Sequence, residues 1–436
     1  MTGSCVRYKV SPRTGSILAA VGSLLLSLID PEQLRRNGVN QVYSSIDFYI
    51  YWLILIRLVV IILSSMRLNI STLGLKLRSL IRLFIVNLLL VYLFFSCMSI
   101  VYFYLLFEIS VIPIFLIVTG WGYQPERVKS AYAMIFYTIV SSIPILVGIL
   151  TLLLAGIKPS LILDRFQIRG PLGFTLGICI GLGFLVKLPI YGVHIWLPLA
   201  HVEAPVYGSI ILAGILLKLG GLGVIRFRAC VYTNDLVSLL VRISILGTVL
   251  VGLSCLKITD MKSVIAFSSV SHIGIVIVVL VAMSKIYVWA AVFIMLTHAF
   301  RSSGMFFGRY VIYQLTGRRN MLLNKGGVRK YPAFSLRWII VVIARLGTPP
   351  FINLASEVYS LILRYHLIKE ASLLLIIMFI LGRAYHLMLY RSSQQEHRSW
   401  EPMDPESEVK PTSIIVSHYH RVVLVGRYLA LYQFSY

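Results

Sequence analysis

Apolar runs recur along most of this chain, separated by short polar or basic turns. About 20 apolar residues, wound as a helix, cross the hydrocarbon layer of a bilayer. The pattern predicts spans over 48–66, 80–97, 98–120, 132–155, 173–192, 207–226, 235–256, 263–284, 286–308, 334–347, 350–366 and 372–390. Shorter runs at 16–29 and 420–434 add a first and a last helix. Longer connections are expected near 30–46, 156–171 and 309–333. The predicted fold is an all-α polytopic membrane protein with about 12–14 transmembrane helices.

Two spans are interrupted. One holds Val186-Lys187-Leu188-Pro189, the other Ala344-Arg345-Leu346-Gly347-Thr348-Pro349-Pro350. Proline removes a backbone donor and disrupts the preceding turn. Inside a membrane, freed backbone is tolerated only where protein or a water-filled cavity satisfies it. A pair of broken spans in the two halves of a chain points to a transport site. Lys187 precedes its proline and Glu357 follows its prolines, a mirrored order that two inverted helical repeats with broken helices would produce.

Composition supports the membrane reading. Of the 436 residues, 58% are hydrophobic and 13% charged, against about 25% charged in soluble domains. The net charge of +24 raises nucleic acid as a partner. The basic residues are spread through loops and span ends, however, which sets topology by the positive-inside rule and leaves no nucleic-acid-binding domain. The five cysteines are scattered without a C-x-x-C pair, so zinc and iron–sulfur ligation have no support. No G-x-G-x-x-G follows a strand, and no stretch forms a soluble nucleotide or flavin domain.

The sixteen carboxylates are informative because five of them lie in the polar tail, at Glu396, Glu401, Asp404, Glu406 and Glu408. Only Glu108 and Glu357 sit well inside apolar segments. Lys187 and Lys218 do the same among lysines. An intramembrane ionisable residue is a functional candidate by default, weighed against a structural carboxyl or a lysine that snorkels to the interface. His272 follows Ser268 by four residues, and Ser302 follows His298 by four. Hydroxyls and imidazoles on one helix face can pass protons or serve as interhelical hydrogen-bond glue. His194, His201 and Glu203 read as interfacial, with no metal-ligand pattern.

Several segments resemble a known family. They are Gly120-Trp121-Gly122-Tyr123-Gln124-Pro125-Glu126-Arg127; Val186-Lys187-Leu188-Pro189-Ile190-Tyr191-Gly192-Val193-His194-Ile195-Trp196-Leu197-Pro198; Ala200-His201-Val202-Glu203-Ala204-Pro205; Lys218-Leu219-Gly220-Gly221; and Asp260-Met261-Lys262-Ser263 with Ser268-Ser269-Val270-Ser271-His272. Over roughly residues 45–395 the chain is similar to the subunit 4 family of mitochondrial NADH:ubiquinone oxidoreductase (respiratory complex I), an antiporter-like proton-pumping membrane subunit.

The resemblance implies that Glu108 and Lys187 form a charged pair and that Lys218 is the central-axis lysine. It makes Glu357 the carboxylate on the second broken helix, and places His272 and His298 near the proton path. It implies a multi-pass protein of the mitochondrial inner membrane, among other membrane subunits of complex I and phospholipid. The chain would hold no redox centre, with NADH, flavin, iron–sulfur clusters and ubiquinone bound by other subunits. Three regions follow: a divergent 1–45 with a short first helix, an antiporter-like proton-translocating domain at 46–395, and an acidic loop and C-terminal helix at 396–436. The chain departs from the family at Leu199, where a lysine is usual, and at Arg301, where a small residue is usual.

A stand-alone cation/proton antiporter of the same superfamily would use the same machinery. A scaffold that no longer pumps would have lost the charged axis, which is intact here. Five arginines, Arg57, Arg242, Arg301, Arg345 and Arg383, lie in apolar stretches. A central arginine costs about 2.5–3.5 kcal/mol on insertion scales, and two membrane acids cannot neutralise five arginines and two lysines. The imbalance predicts that some of these positions are AGA or AGG codons read with an unsuitable genetic code. The alternative is arginines that snorkel or contact neighbouring subunits.

Overall fold

The computed structural model describes residues 76–97, 99–156, 171–227, 234–280, 285–348, 354, 357–358, 360, 362 and 371–395. The expected spans at 16–29, 48–66 and 420–434, most of 350–366, the regions 1–45 and 396–436, and Arg57 lie outside the described residues. Everything described belongs to one compact unit, Tyr51–Tyr436. Among the described residues there are helices and no strands.

In chain order the helices are α1 (Lys76–Ser96), α2 (Ile100–Ile109), α3 (Val111–Trp121), α4 (Arg127–Leu154), α5 (Pro171–Lys187), α6 (Trp196–Glu203), α7 (Val206–Arg226), α8 (Asn234–Cys255), α9 (Met261–Leu280), α10 (Lys285–Thr316), α11 (Gly327–Lys330), α12 (Pro332–Arg345) and α13 (Ala371–Gln394). Seven stretches among the described residues are long and apolar enough to cross a membrane. α2 and α3 form one of them, bent at Ser110. The bend follows from Pro113, which offers no N–H to the preceding turn.

The helices divide into a rim and a centre. α4 is rim: Tyr132, Phe136, Ile139 and Ile143 face outward, while Met134, Thr138, Ser141 and Ile145 pack inward against α5. An outer face of large apolar side chains suits lipid or a membrane neighbour. α7, α9 and most of α10 are centre, about nine-tenths buried along their apolar windows. α9 packs between α8 and α10, and α8 in turn carries α13. A helix buried on every side has no need of one apolar stripe, and these central helices hold Lys218, His272 and His298.

Small residues make the centre tight. A side chain on Gly220 would meet the Phe184 carbonyl at 2.9 Å, so α7 lies directly on the end of α5. In membranes this close approach of backbones is a main source of helix association.

Two expected boundaries shift, and one span holds an unexpected turn. α10 runs to Thr316 rather than stopping near 308. Arg309 is buried, its guanidinium 5.0 Å from the Tyr313 ring, so the polar residues there do not end the helix. The stretch from Ser392 is not yet an exposed loop: Ser392, Ser393 and Gln394 are buried in the last turn of α13. The two serines donate to Leu389 O, and Ser335 Oγ donates to Gln394 Oε1. The span expected at 207–226 contains a π turn at Leu212–Leu216 that no sequence feature announced.

Candidate functional site: a buried line of ionisable side chains

The first interrupted span ends where its chemistry begins. α5 stops at Lys187, ahead of Leu188-Pro189, since the residue before a proline avoids helical geometry. Gly192, at φ 101°, then turns the chain into α6. Trp196 Nε1 donates to Val186 O (3.1 Å), satisfying one carbonyl that the helix end leaves open. Lys187 is 3% exposed, and its ammonium suits the negative end of a helix.

Lys187 reaches across to the bend between α2 and α3. Its Nζ donates to Phe107 O (2.6 Å) and lies 3.2 Å from the centroid of the Phe107 ring. Glu108 Oε1 is 3.6 Å from the same nitrogen. The expected pair is therefore present, but Phe107 is the nearer partner of the cation. Phe107 is held in turn by a cluster of Phe94, Phe103 and Phe184. A ring face attracts a cation through its quadrupole, a role that its place in an apolar run conceals.

Lys218 sits two residues past the π turn. Helical side chains lean toward the N-terminus, so its stem runs back over small Ala213 and Gly214. Nζ donates to Ala213 O (2.5 Å) and lies 3.0 Å from His298 Nδ1. An ammonium has donors only, so Nδ1 accepts and Nε2 of His298 carries the proton. Lys218 thus has neutral acceptors where Lys187 has a carboxylate. π turns are frequent at functional sites.

His272, on α9, lies beside His298 with ring centroids 6.4 Å apart. Ser268 and Ser302 turn their hydroxyls to carbonyls of their own helices, Ile265 O and His298 O. They serve their helices rather than the imidazoles in this arrangement.

The second interrupted span mirrors the first. α12 stops at Arg345, and Gly347 follows at φ 68°. Arg301 Nη1 donates to Ala344 O (3.2 Å) and Arg345 O (3.4 Å), capping that helix end, and its Nε donates to Thr297 O. Arg345 is less well served. One nitrogen donates to Ser268 Oγ (3.2 Å), while Nε and Nη1 are buried without a partner among the described residues. Glu357 is buried within electrostatic reach of both arginines. Arg242 and Arg383 are exposed on the outer face.

His201 and Glu203 are buried. His201 stacks on Phe306 at 4.7 Å between centroids. Glu203 Oε1 lies 3.9 Å from Arg319, and burial pushes its carboxyl above the usual carboxylate range. Burial lowers His194 in the same region. Lys262, which the sequence did not single out for a role, donates to Val202 O (2.8 Å) and Ala204 O (2.6 Å) at the end of α6.

The arrangement is a line of buried ionisable side chains on neighbouring helices. The family described as "NADH:quinone oxidoreductase/Mrp antiporter, TM" matches residues 97–383, well over half of the chain. The chain belongs to this family. Within the NADH:quinone oxidoreductase/Mrp antiporter family, it is 39% identical over 321 residues to NADH-ubiquinone oxidoreductase chain 4 of Ceratitis capitata, covering 72% of this chain and 71% of that one. The chain 4 of Apis mellifera ligustica is 35% identical over 377 residues, covering 85% and 83%. In fold, the chain is similar to a chain in the structure of respiratory complex I from Thermus thermophilus with bound NADH. The TM-score is 0.77 at 19% identity, over 86% of this chain and 80% of that one. A chain of the membrane-bound sulfane sulfur reductase, an archaeal respiratory membrane complex, gives 0.79 at 19% identity, over 91% and 83%.

Proposed function

We propose that this chain carries one proton path through the membrane arm of respiratory NADH:ubiquinone oxidoreductase, with Glu108, Lys187, Lys218, His298, His272 and Glu357 as its proton-handling residues. The chain is a membrane-embedded, multi-pass subunit of that proton-translocating complex, working among its other membrane subunits. The animal relatives support the mitochondrial inner membrane as its location. NADH, flavin, iron–sulfur clusters and ubiquinone are assigned to other subunits, whose electron transfer drives the protons here.

One observation carries the site reading. Lys218 is 2% exposed, and its ammonium rests on a carbonyl and an imidazole, with no carboxylate among the described residues touching it. The imidazole can accept the proton that the ammonium gives up. Upstream, Glu108 compensates Lys187. A change in their separation alters how well Lys187 holds its own proton. Moving one charge through the membrane potential costs about 2.3 kcal/mol per 100 mV, and one unit of proton affinity is worth about 1.36 kcal/mol. Making or breaking one buried ion pair supplies a change of that size.

The test is Lys218→Met in the intact complex, reconstituted in vesicles, with NADH oxidation and proton uptake followed together. Proton uptake should collapse while the complex still assembles. Normal uptake would remove Lys218 from the path. Comigration of the chain with a very large assembly on a native gel separates this reading from that of a stand-alone antiporter, which would run alone.

A further inference from the structure

The proton line does not stop at His272. His386, on α13, lies with its ring centroid 6.3 Å from that of His272, nearly the spacing of His272 from His298. It is 2% exposed. Its Nδ1 is 2.7 Å from Gly382 O, one turn back on the same helix. A carbonyl only accepts, so Nδ1 carries the hydrogen and Nε2 presents a lone pair. That Nε2 is buried and has no hydrogen-bond partner among the described residues.

We infer that His386 is the terminal proton acceptor of the Lys218–His298–His272 line, and that α13 is a wall of the proton path.

The argument rests on direction. Lys218 donates to His298 Nδ1, which leaves the His298 hydrogen on Nε2, itself buried without a partner. His386 faces the opposite situation, its hydrogen tied to the backbone and its lone pair free. A chain of imidazoles moves a proton only if one end can give and the other can take. Lys218 is built to give and His386 to take, with His272 between them. At these centroid spacings the nearest ring nitrogens are ~4 Å apart or more, beyond direct hydrogen bonding. One bridging water or a ring rotation spans such a gap.

The surroundings of His386 belong to the site rather than to a plain apolar core. The Tyr385 ring lies beside it, tilted by 42°, at 4.5 Å between centroids, and the Tyr385 hydroxyl lies 3.2 Å from Ser271 Oγ on α9. Arg345 and Arg301 are within electrostatic reach of His386, and Glu357 is within reach of Tyr385. A proton loaded on Nε2 makes His386 an imidazolium whose Nδ1–H still donates to Gly382 O. No other bond needs to change. Its charge would repel the two arginines, whose own charges Glu357 offsets.

This inference rests on the proton-path reading above, and the experiment separates the two. In the intact complex in vesicles, His386→Asn places an amide N–H where Nδ1–H donates to Gly382 O, and removes the titratable Nε2. His386→Gln is the second variant, its amide reaching the Nε2 position, should the Asn protein not assemble. A proton role predicts that either variant loses at least about tenfold in NADH-driven proton uptake, in line with the loss of a positioned proton carrier. A merely structural role predicts that the Asn variant behaves as wild type, because the anchoring hydrogen bond survives. Normal uptake in an assembled variant, alongside collapse in Lys218→Met, would take His386 out of the path and leave the path standing. Normal uptake in Lys218→Met as well would overturn the underlying reading.

Discussion

Two buried lysines of this chain face opposite conditions. Lys187 has a carboxylate at 3.6 Å, a carbonyl at 2.6 Å and an aromatic face. Lys218 has a carbonyl and an imidazole lone pair. The first is a compensated charge, expensive to separate because each partner would be left alone in a medium of low dielectric. The second is a cation supported only by neutral dipoles, one of which can take the proton itself. A region that must store electrostatic energy resembles the first. A region that must pass protons onward resembles the second. The fold sets them on touching helices, α5 and α7, with Gly220 allowing the contact.

If that contrast is right, removing Lys218 has the larger effect. Lys218→Met should lower NADH-driven proton uptake by on the order of 10²-fold, within the range of a lost acid–base group. A loss no greater than that of the Glu108 variant would erase the difference between the two regions.

The paired region comes next. Glu108→Gln and Lys187→Met should each lower uptake by roughly tenfold. The double variant should be little worse than either, because members of one unit are not additive. Losses that multiply in the double variant would show two independent groups. Assembly should persist in Glu108→Gln, since Phe107 still holds the ammonium.

A smaller effect sharpens the pair. Phe107→Leu keeps the carbonyl and loses the ring, which is worth about 0.5–2 kcal/mol to a cation. Uptake should fall several-fold, and Phe107→Tyr should restore most of it. Equal losses in the Leu and Tyr variants would mean that the ring is only packing.

The last prediction changes no rate. Arg301 is satisfied at a helix end, whereas Arg345 leaves two guanidinium nitrogens buried without partners, at about 1–3 kcal/mol for each unsatisfied group. The expectation of serine codons read as arginine therefore applies first to position 345. Peptide mass spectrometry of the purified protein should find serine there. Arginine at 345 would end the idea, and serine would remove a positive charge from beside His386.

The apolar pattern exposed the described spans because length and hydropathy are properties of single segments. It placed a break at Val186–Pro189, where the helix ends, because proline acts locally. It missed the true end of α10, since only the fold shows that Arg309 lies buried against Tyr313. Glu108 and Lys187 stood out as charges in apolar runs, and their meeting across 79 positions is visible only in three dimensions. Phe107 carried no signal, being one aromatic among many. His386 did carry one, a histidine inside an apolar run, yet nothing local ties it to His272 on another helix.

The π turn in α7 decides which face of the helix carries Lys218. One residue added to an α-helix is absorbed as such a turn, and everything after it rotates by about 100°. Deleting one residue from Leu212–Leu216 would heal the helix and swing Lys218 away from His298, onto another face of α7. The aim of Lys218 at His298 thus depends on the extra residue that the π turn takes up.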